Sequence, residues 1–225
     1  MKKVLFSIIA VFTFSIINAQ SSMSGSEYKP TKGTVTTEVG LSGGLNNANF
    51  NLNNLKFRYF LKENMGLRLG LGLQSETDEA INNANPANTI TTTDKASRFQ
   101  INLGIEKHFE GSDRLSTFVG ADLVLSFANQ SNDVIQQNGN FVKNSGGGNA
   151  GNAFGVQLLT GADYYIAKKV YLGVEAGLSI LSGTGKDAVT ETRVGNVTTS
   201  TTAAGGSSFD INTQVFGGVR IGYQF

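Results

Sequence analysis

His108, the only histidine in the chain, stands two residues after Glu106 and eight residues before Ser116. A serine hydroxyl activated by an imidazole, with a carboxylate orienting the imidazole, is the arrangement used for acyl transfer. The three residue types therefore allow a nucleophilic site. Whether they can act depends on where the surrounding elements place them.

Other chemistries have weaker support in the sequence. The chain of 225 residues has no cysteine, which excludes a disulfide scaffold, a thiolate metal site and a cysteine nucleophile. Its formal charge of +1 excludes the basic face typical of nucleic-acid binding. Gly146, Gly148 and Gly151 match a dinucleotide fingerprint, but their Asn/Gly-rich context predicts a flexible loop. Glu76, Asp78 and Glu79 lack calcium-loop spacing, so we predict neither a metal nor a cofactor.

The N-terminus has the pattern of an export signal. Lys2 and Lys3 precede an apolar stretch at 4–17, and small residues around Ala19 form a cleavage site. We therefore predict a signal peptide at 1–19. A flexible, periplasmic leader follows at 20–33, because this stretch is polar and aperiodic.

From residue 34 onward, apolar and polar residues alternate, which is the pattern of β-strands with two different faces. The pattern predicts eight strands, at 35–41, 55–61, 67–73, 99–109, 119–127, 154–166, 172–180 and 209–225. Tight turns at 62–64, 110–114 and 167–169 alternate with four long, polar connections at 43–51, 76–95, 128–152 and 183–207. Short turns on one side and long loops on the other are typical of an outer-membrane barrel. The expected fold is an all-β, eight-stranded antiparallel up-and-down transmembrane barrel over residues 34–225, with both termini in the periplasm.

The distribution of charge decides which face meets lipid. The apolar face carries a single charge, Lys107, close to a periplasmic strand end where it can snorkel. The other face is rich in glycine and carries a nearly balanced set of charges, as expected for a narrow lumen. The predicted lumen charge network consists of Glu38, Lys56, Arg58, Arg68, Arg98, Glu106, Asp122, Asp163, Glu175, Asp210 and Arg220.

Aromatic residues of the apolar face fall at strand ends, as they do at membrane interfaces. The girdle predicted at the external ends contains Phe99, Phe127, Phe154 and Phe209. The girdle predicted at the periplasmic ends contains Tyr59, Phe109, Tyr164, Tyr223 and Phe225.

The chain ends in Val-Arg-Ile-Gly-Tyr-Gln-Phe, whose outward residues Ile221, Tyr223 and Phe225 resemble the C-terminal signal read by the barrel assembly machinery. With the signal peptide and the eight strands, the chain resembles small OmpA/OmpX-type outer-membrane β-barrels. That resemblance implies a monomer in the bacterial outer membrane, in contact with lipid and lipopolysaccharide. Barrel lipid A deacylases are of similar size and use a Ser-His pair, but on the external side, whereas His108 lies near a periplasmic end.

We therefore expect His108 to be structural and the protein to have no catalytic activity. Eight strands leave an interior that side chains just fill, and Phe118, Leu159, Tyr165 and Phe216 add bulk. The charges should form a salt-bridged plug in which Glu38 lies near Lys56 or Arg58 and near Arg220. The expected function is a structural or surface-interaction scaffold with mobile external loops. A narrow porin-like channel is the first alternative, and a lipid A-modifying enzyme is the second.

Overall fold

The computed structural model describes residues 26–42, 49–84 and 89–225. The predicted signal peptide, the leader up to residue 25, and parts of two predicted connections at 43–48 and 85–88 lie outside these residues. In the described part of the chain, no helix is long and apolar enough to cross a membrane.

Eleven strands form in the described ranges, and all their pairings are antiparallel. They are β1 (Val35–Ser42), β2 (Asn49–Lys62), β3 (Met65–Asn82), β4 (Ile90–Glu110), β5 (Leu115–Gln136), β6 (Phe141–Ser145), β7 (Gly151–Ala167), β8 (Val170–Gly185), β9 (Ala188–Val194), β10 (Val197–Ala203) and β11 (Ser207–Gln224).

Eight of these strands close into a barrel in the ring order β1-β2-β3-β4-β5-β7-β8-β11. Two pairings complete the ring: β1 meets β11 with Val39 opposite Ile221, and β5 meets β7 with Ala121 opposite Leu158. The ring gives each barrel strand a neighbour on both sides, as a barrel requires. The predicted eight-stranded antiparallel barrel is confirmed.

The barrel has charged side chains and a few aromatic and aliphatic ones inside, and mainly apolar side chains outside. Along β5, Phe118 and Asp122 are buried whereas Leu123 and Leu125 are exposed, as the alternation of strand faces requires. Exposed large apolar residues encircle the barrel, including Leu67, Leu103, Ile105 and Val174. An inside-out distribution of this kind suits a barrel whose outer surface meets hydrocarbon.

The long connections differ from the mobile loops that the sequence predicts. β3 and β4 continue beyond the barrel to the pair Asn82 and Ile90, so residues 76–82 and 90–95 are strand. β5 likewise extends to Gln136, and β6, β9 and β10 add to its edge as an outer sheet. These segments are rich in Thr and Val, which favour strands, but both of their faces are polar. Without a contrast between faces, hydropathy alternation gives no signal there.

The Gly146-x-Gly148-x-x-Gly151 stretch is an ordered turn rather than the flexible loop that was predicted. Gly146, Gly147 and Gly148 all have positive φ, which side-chain-bearing residues rarely adopt. The Gly147 amide donates a hydrogen bond to the Lys186 carbonyl at 3.2 Å, and the Lys186 amide donates to Ala150. The turn is thereby held against the β8–β9 connection at the mouth of the barrel.

Three tight connections, at 63–64, 111–114 and 168–169, lie together at the opposite end of the barrel, which we call the short-turn end. The end from which β3, β4 and the outer sheet project is called the extended end. Residues 26–33 contain no strand and lie against the short-turn end. The Tyr28 hydroxyl accepts a hydrogen bond from Arg114 at 2.8 Å, and the Tyr28 carbonyl accepts one from the side-chain amide of Gln224.

Candidate functional site: the lumen ion-pair cluster

Charged side chains fill the middle of the barrel. Nine of the predicted network residues form one set of ion pairs, which we call the lumen cluster: Glu38, Lys56, Arg58, Arg68, Glu106, Asp122, Asp163, Glu175 and Arg220. All nine are buried. Each of the eight barrel strands contributes at least one member, and β2 contributes two.

Arg58 is the most completely enclosed cation of the cluster, with 1% of its surface exposed. Its Nε lies 2.8 Å from Glu38 Oε1 and 3.2 Å from Glu106 Oε1, and its Nη1 donates a hydrogen bond to Asp163 Oδ2. The guanidinium also lies over the Phe118 ring, 4.9 Å from its centroid. Arg58 therefore joins three walls of the barrel through their buried carboxylates.

Arg68 and Lys56 occupy the other side of the cluster and share Glu175. Arg68 donates to Glu106 at 2.6 Å, to Asp122 at 3.0 Å and to Glu175 at 3.0 Å. Lys56 Nζ donates to both oxygens of Glu175, at 2.8 and 3.0 Å. Although Lys56 is opposite Glu38 in the strand register, the ion pair it makes is with Glu175 across the lumen.

Arg220 ties the last strand to the rest of the cluster. It donates hydrogen bonds to Glu38, to Glu175 at 3.1 Å and to Asp163 at 3.3 Å. Glu38 also accepts a hydrogen bond from the Tyr171 hydroxyl at 2.9 Å. The predicted neighbours Arg58 and Arg220 are thus both placed at Glu38.

Glycines leave the space through which several of these contacts run. Gly173 is opposite both Asp163 and Arg220, whose ion pair passes over it. A Cβ at Gly173 would lie 2.5 Å from Asp163 Oδ1 and 2.8 Å from Arg220 Nη2. Gly104 lies in the same way between Arg68 and Asp122. The lumen glycines are therefore part of the ion-pair geometry.

His108 contacts both residues that the sequence suggested. Its Nδ1 lies 2.8 Å from Ser116 Oγ, and its Nε2 lies 2.8 Å from Glu106 Oε1. The ring packs between Phe60 and Phe118, with centroid distances of 5.3 and 5.2 Å. All three polar residues are buried. A serine nucleophile must be reached by its substrate, whereas Ser116 has only 1% of its surface exposed.

The apolar floor beneath the cluster lies at the short-turn end of the lumen. Phe60, Phe118, Leu159, Tyr165 and Tyr171 are buried, and the rings of the two tyrosines are 5.3 Å apart. The side chain of Phe216, which was also expected to fill the lumen, lies outside what the structure describes. Aromatic and aliphatic groups thus occupy the space below the ion pairs.

Arg98 and Asp210 are the two predicted network residues that do not join the cluster. Both are exposed, and within the described residues neither makes an ion pair. They line a cavity of about 440 Å³ at the extended end, together with Ser126, Asn149 and Ser208. Face alternation correctly places them toward the lumen, but it gives no depth. Both lie beyond the level at which the lumen is filled.

Most residues of the predicted girdles are exposed on the outer surface. At the extended end these are Phe99, Phe127, Phe154 and Phe209, and at the short-turn end Tyr59, Tyr164, Tyr223 and Phe225. Phe109 is half-buried. Ile221 and Tyr223 of the predicted assembly signal lie on the outward face of β11. Phe225 follows the end of this strand and donates its amide to the Val35 carbonyl at 2.9 Å.

The acidic residues of the predicted loop lie on strand β3, and they do not converge. Glu76 and Asp78 face the same side, whereas Glu79 faces the other. In the part of the chain that the structure describes, no group of His, Cys, Asp and Glu is arranged to hold a metal.

Similar families and solved structures identify the class of protein to which this chain belongs. Residues 42–179, which are more than half of the chain, match the model of the family described as "Putative OmpA-OmpF-like porin family". Among solved structures, the chain is similar to the outer membrane protein OprG from Pseudomonas aeruginosa, with 10% identity and a TM-score of 0.47. That match covers 89% of this chain and 99% of OprG. No curated protein matches the sequence. The chain belongs to the OmpA-OmpF-like porin family and is a bacterial outer-membrane β-barrel protein.

Proposed function

We propose that this protein is a closed-lumen barrel that acts as a structural and surface-interaction scaffold, without catalysis or open-channel transport. The observation that carries the proposal is that ion pairs join opposite walls of the barrel. Arg58 on β2 bonds Asp163 on β7, and Arg68 on β3 bonds Glu175 on β8. Each pair links strands four places apart in the ring of eight.

Direct contact between opposite walls leaves no room for a hydrated ion at that level. Opening a path would require breaking several buried ion pairs together, and removing one partner from such a pair costs about 3–5 kcal/mol. The cluster is therefore expected to stay closed on the timescale of ion flow. The apolar floor below it adds a second obstruction.

The extended end supports the surface-interaction part of the proposal. There β3, β4 and β5 project beyond the barrel and β6, β9 and β10 widen the sheet. This sheet presents chiefly Thr, Ser, Asn and charged side chains, and every residue of β10 is exposed. A rigid polar sheet of this kind can contact partners at the cell surface with little ordering cost.

Planar-bilayer conductance tests the closed lumen. The unmutated protein should produce no sustained unitary current at moderate voltage. As a positive control, Arg58→Ala combined with Arg68→Ala removes both wall-to-wall contacts and should raise the frequency of current events if the variant folds. A stable open current in the unmutated protein would refute the proposal and favour a narrow channel. That channel is the second candidate because the family is described as porin-like.

A further inference from the structure

The two ends of the barrel carry opposite side-chain charge. The short-turn end contains seven basic residues (Lys29, Lys32, Lys62, Lys107, Arg114, Lys168 and Lys169) and four acidic ones (Glu27, Glu63, Glu110 and Asp113), a net of +3. The extended end contains five basic residues (Lys95, Arg98, Lys143, Lys186 and Arg193) and eight acidic ones (Glu76, Asp78, Glu79, Asp94, Asp133, Asp187, Glu191 and Asp210), a net of −3. The near-neutral total conceals this separation.

Part of the charge at the short-turn end is compensated within the protein. Lys168 pairs with Glu27, which raises the pKa of Lys168. Partial burial lowers the pKa of Lys29, while Glu110 and Asp113 act on it in the opposite direction. The remaining lysines are exposed and make no ion pair within the described residues: Lys32, Lys62, Lys107 and Lys169. Their charge is available to a partner.

The position of Lys107 along the barrel indicates the depth at which such a partner would bind. It is on the outward face of β4, on the same side as Ile105, which is 55% exposed. Tyr59, Tyr164 and Tyr223 are exposed on other barrel strands at this same end. A lysine that follows an apolar band, at the level of tyrosines, extends its ammonium toward the headgroup region.

We propose that the short-turn end binds the headgroups of anionic glycerophospholipids in the leaflet it contacts. The four uncompensated lysines supply the attraction, and the tyrosines set the depth of the barrel. Each basic residue close to an anionic membrane surface contributes about a fivefold preference. The acidic extended end has the opposite preference, so the charge separation also favours one orientation of the barrel in an asymmetric membrane.

A soluble anionic polymer fits this surface less well than a lipid. Lys107 points sideways from the barrel wall, next to apolar side chains that such a polymer would not cover. A phospholipid contacts both the apolar and the charged groups of this surface, because its acyl chains cover Ile105 while its phosphate meets the Lys107 ammonium. The occupant is therefore a lipid of the surrounding leaflet.

The test measures which lipid the protein retains. The protein is reconstituted in vesicles of equal POPC and POPG, extracted in mild detergent, and its bound lipids are counted by mass spectrometry. POPG should be enriched several-fold over POPC. The triple variant Lys62→Gln, Lys107→Gln, Lys169→Gln should lower the ratio of retained POPG to POPC to nearly one. The matched control, Lys95→Gln, Lys143→Gln, Lys186→Gln, makes the same charge change at the extended end and should leave it unchanged.

Two further measurements keep the result interpretable. Replacing the same three short-turn lysines by arginine should preserve the enrichment. If the glutamine variant does not fold, 1 M NaCl applied to the unmutated protein should abolish the enrichment, because it shortens the screening length to about 3 Å. Equal retention of the two lipids, or an equal loss in the extended-end control, would overturn the proposal. So would lysine-dependent binding of soluble polyglutamate without POPG enrichment.

Discussion

Arg220→Ala removes the cation that joins β11 to the lumen cluster. Its side chain is buried and contacts Glu38, Glu175 at 3.1 Å and Asp163 at 3.3 Å. The substitution also changes the side-chain charge of the cluster from four cations and five carboxylates to three cations and five carboxylates. The net negative side-chain charge of the lumen cluster therefore doubles.

The structure limits the size of the effect. Glu38 and Asp163 keep Arg58, and Glu175 keeps Lys56 and Arg68, so no carboxylate loses its last partner. We therefore expect a loss near the lower end of the range for breaking a buried pair, about 3 kcal/mol in the free energy of unfolding. With about 2–4 °C per kcal/mol for a chain of this size, the thermal midpoint should fall by about 6–12 °C.

The assay is the temperature at which the folded, fast-migrating gel band is lost, measured in one detergent for all variants. Arg98→Ala is the matched control, because Arg98 faces the lumen but is exposed and outside the cluster. It should shift the midpoint by less than about 2 °C, in line with surface substitutions. Planar-bilayer current should change little in either variant. If Arg220→Ala melts like Arg98→Ala, or opens a steady channel at unchanged stability, the plug interpretation is wrong.

Three other predictions test the packing, the histidine and the lipid face. Gly173→Val should destabilise the barrel by about 1–3 kcal/mol through overpacking, as measured by the same gel shift. Gly206→Val should not destabilise it, because a Cβ at Gly206 meets nothing within 4 Å. His108→Ala should cost about 1–3 kcal/mol by leaving buried groups unpaired, while mass spectrometry should find the same lipid A acyl pattern with either protein. Leu123→Arg should lower the free energy of unfolding in bilayers by about 2–4 kcal/mol, because Leu123 faces lipid. Val197→Arg, on β10 of the outer sheet, should be nearly neutral, even though the native side chains of Leu123 and Val197 are similarly exposed, at 63% and 65%.

Alternation in the sequence was enough to predict the barrel and the face on which each charge lies. Glu38, Arg58 and Arg220 were expected to be neighbours because strands one place apart in the ring meet side by side. Contacts across the lumen, such as Lys56 with Glu175, could not be predicted in this way. They depend on how far each strand is staggered along the barrel, which the period of the sequence does not contain.

The same limitation explains the residues that the sequence interpretation missed or misplaced. Tyr171 was not named in the predicted network, and its hydrogen bond to Glu38 runs over Gly222, which is opposite both residues. Arg98 and Asp210 were assigned to the right face at the wrong depth. A rule that pairs opposite charges across an intervening glycine would have found Arg68 with Asp122 and Asp163 with Arg220.

The lumen cluster also explains how the register of the whole barrel is specified. A shift of one residue in a strand exchanges its two faces. For β2, such a shift would turn Arg58 toward lipid at a cost of about 2–4 kcal/mol near the middle of the bilayer, and would leave Glu38, Glu106 and Asp163 without that cation. Because every barrel strand contributes to the cluster, a penalty of this kind applies around the entire ring, although it is smaller for the strands that contribute only a carboxylate. The ion pairs that close the lumen therefore also select one register for all eight strands, which an apolar filling of equal volume would not do.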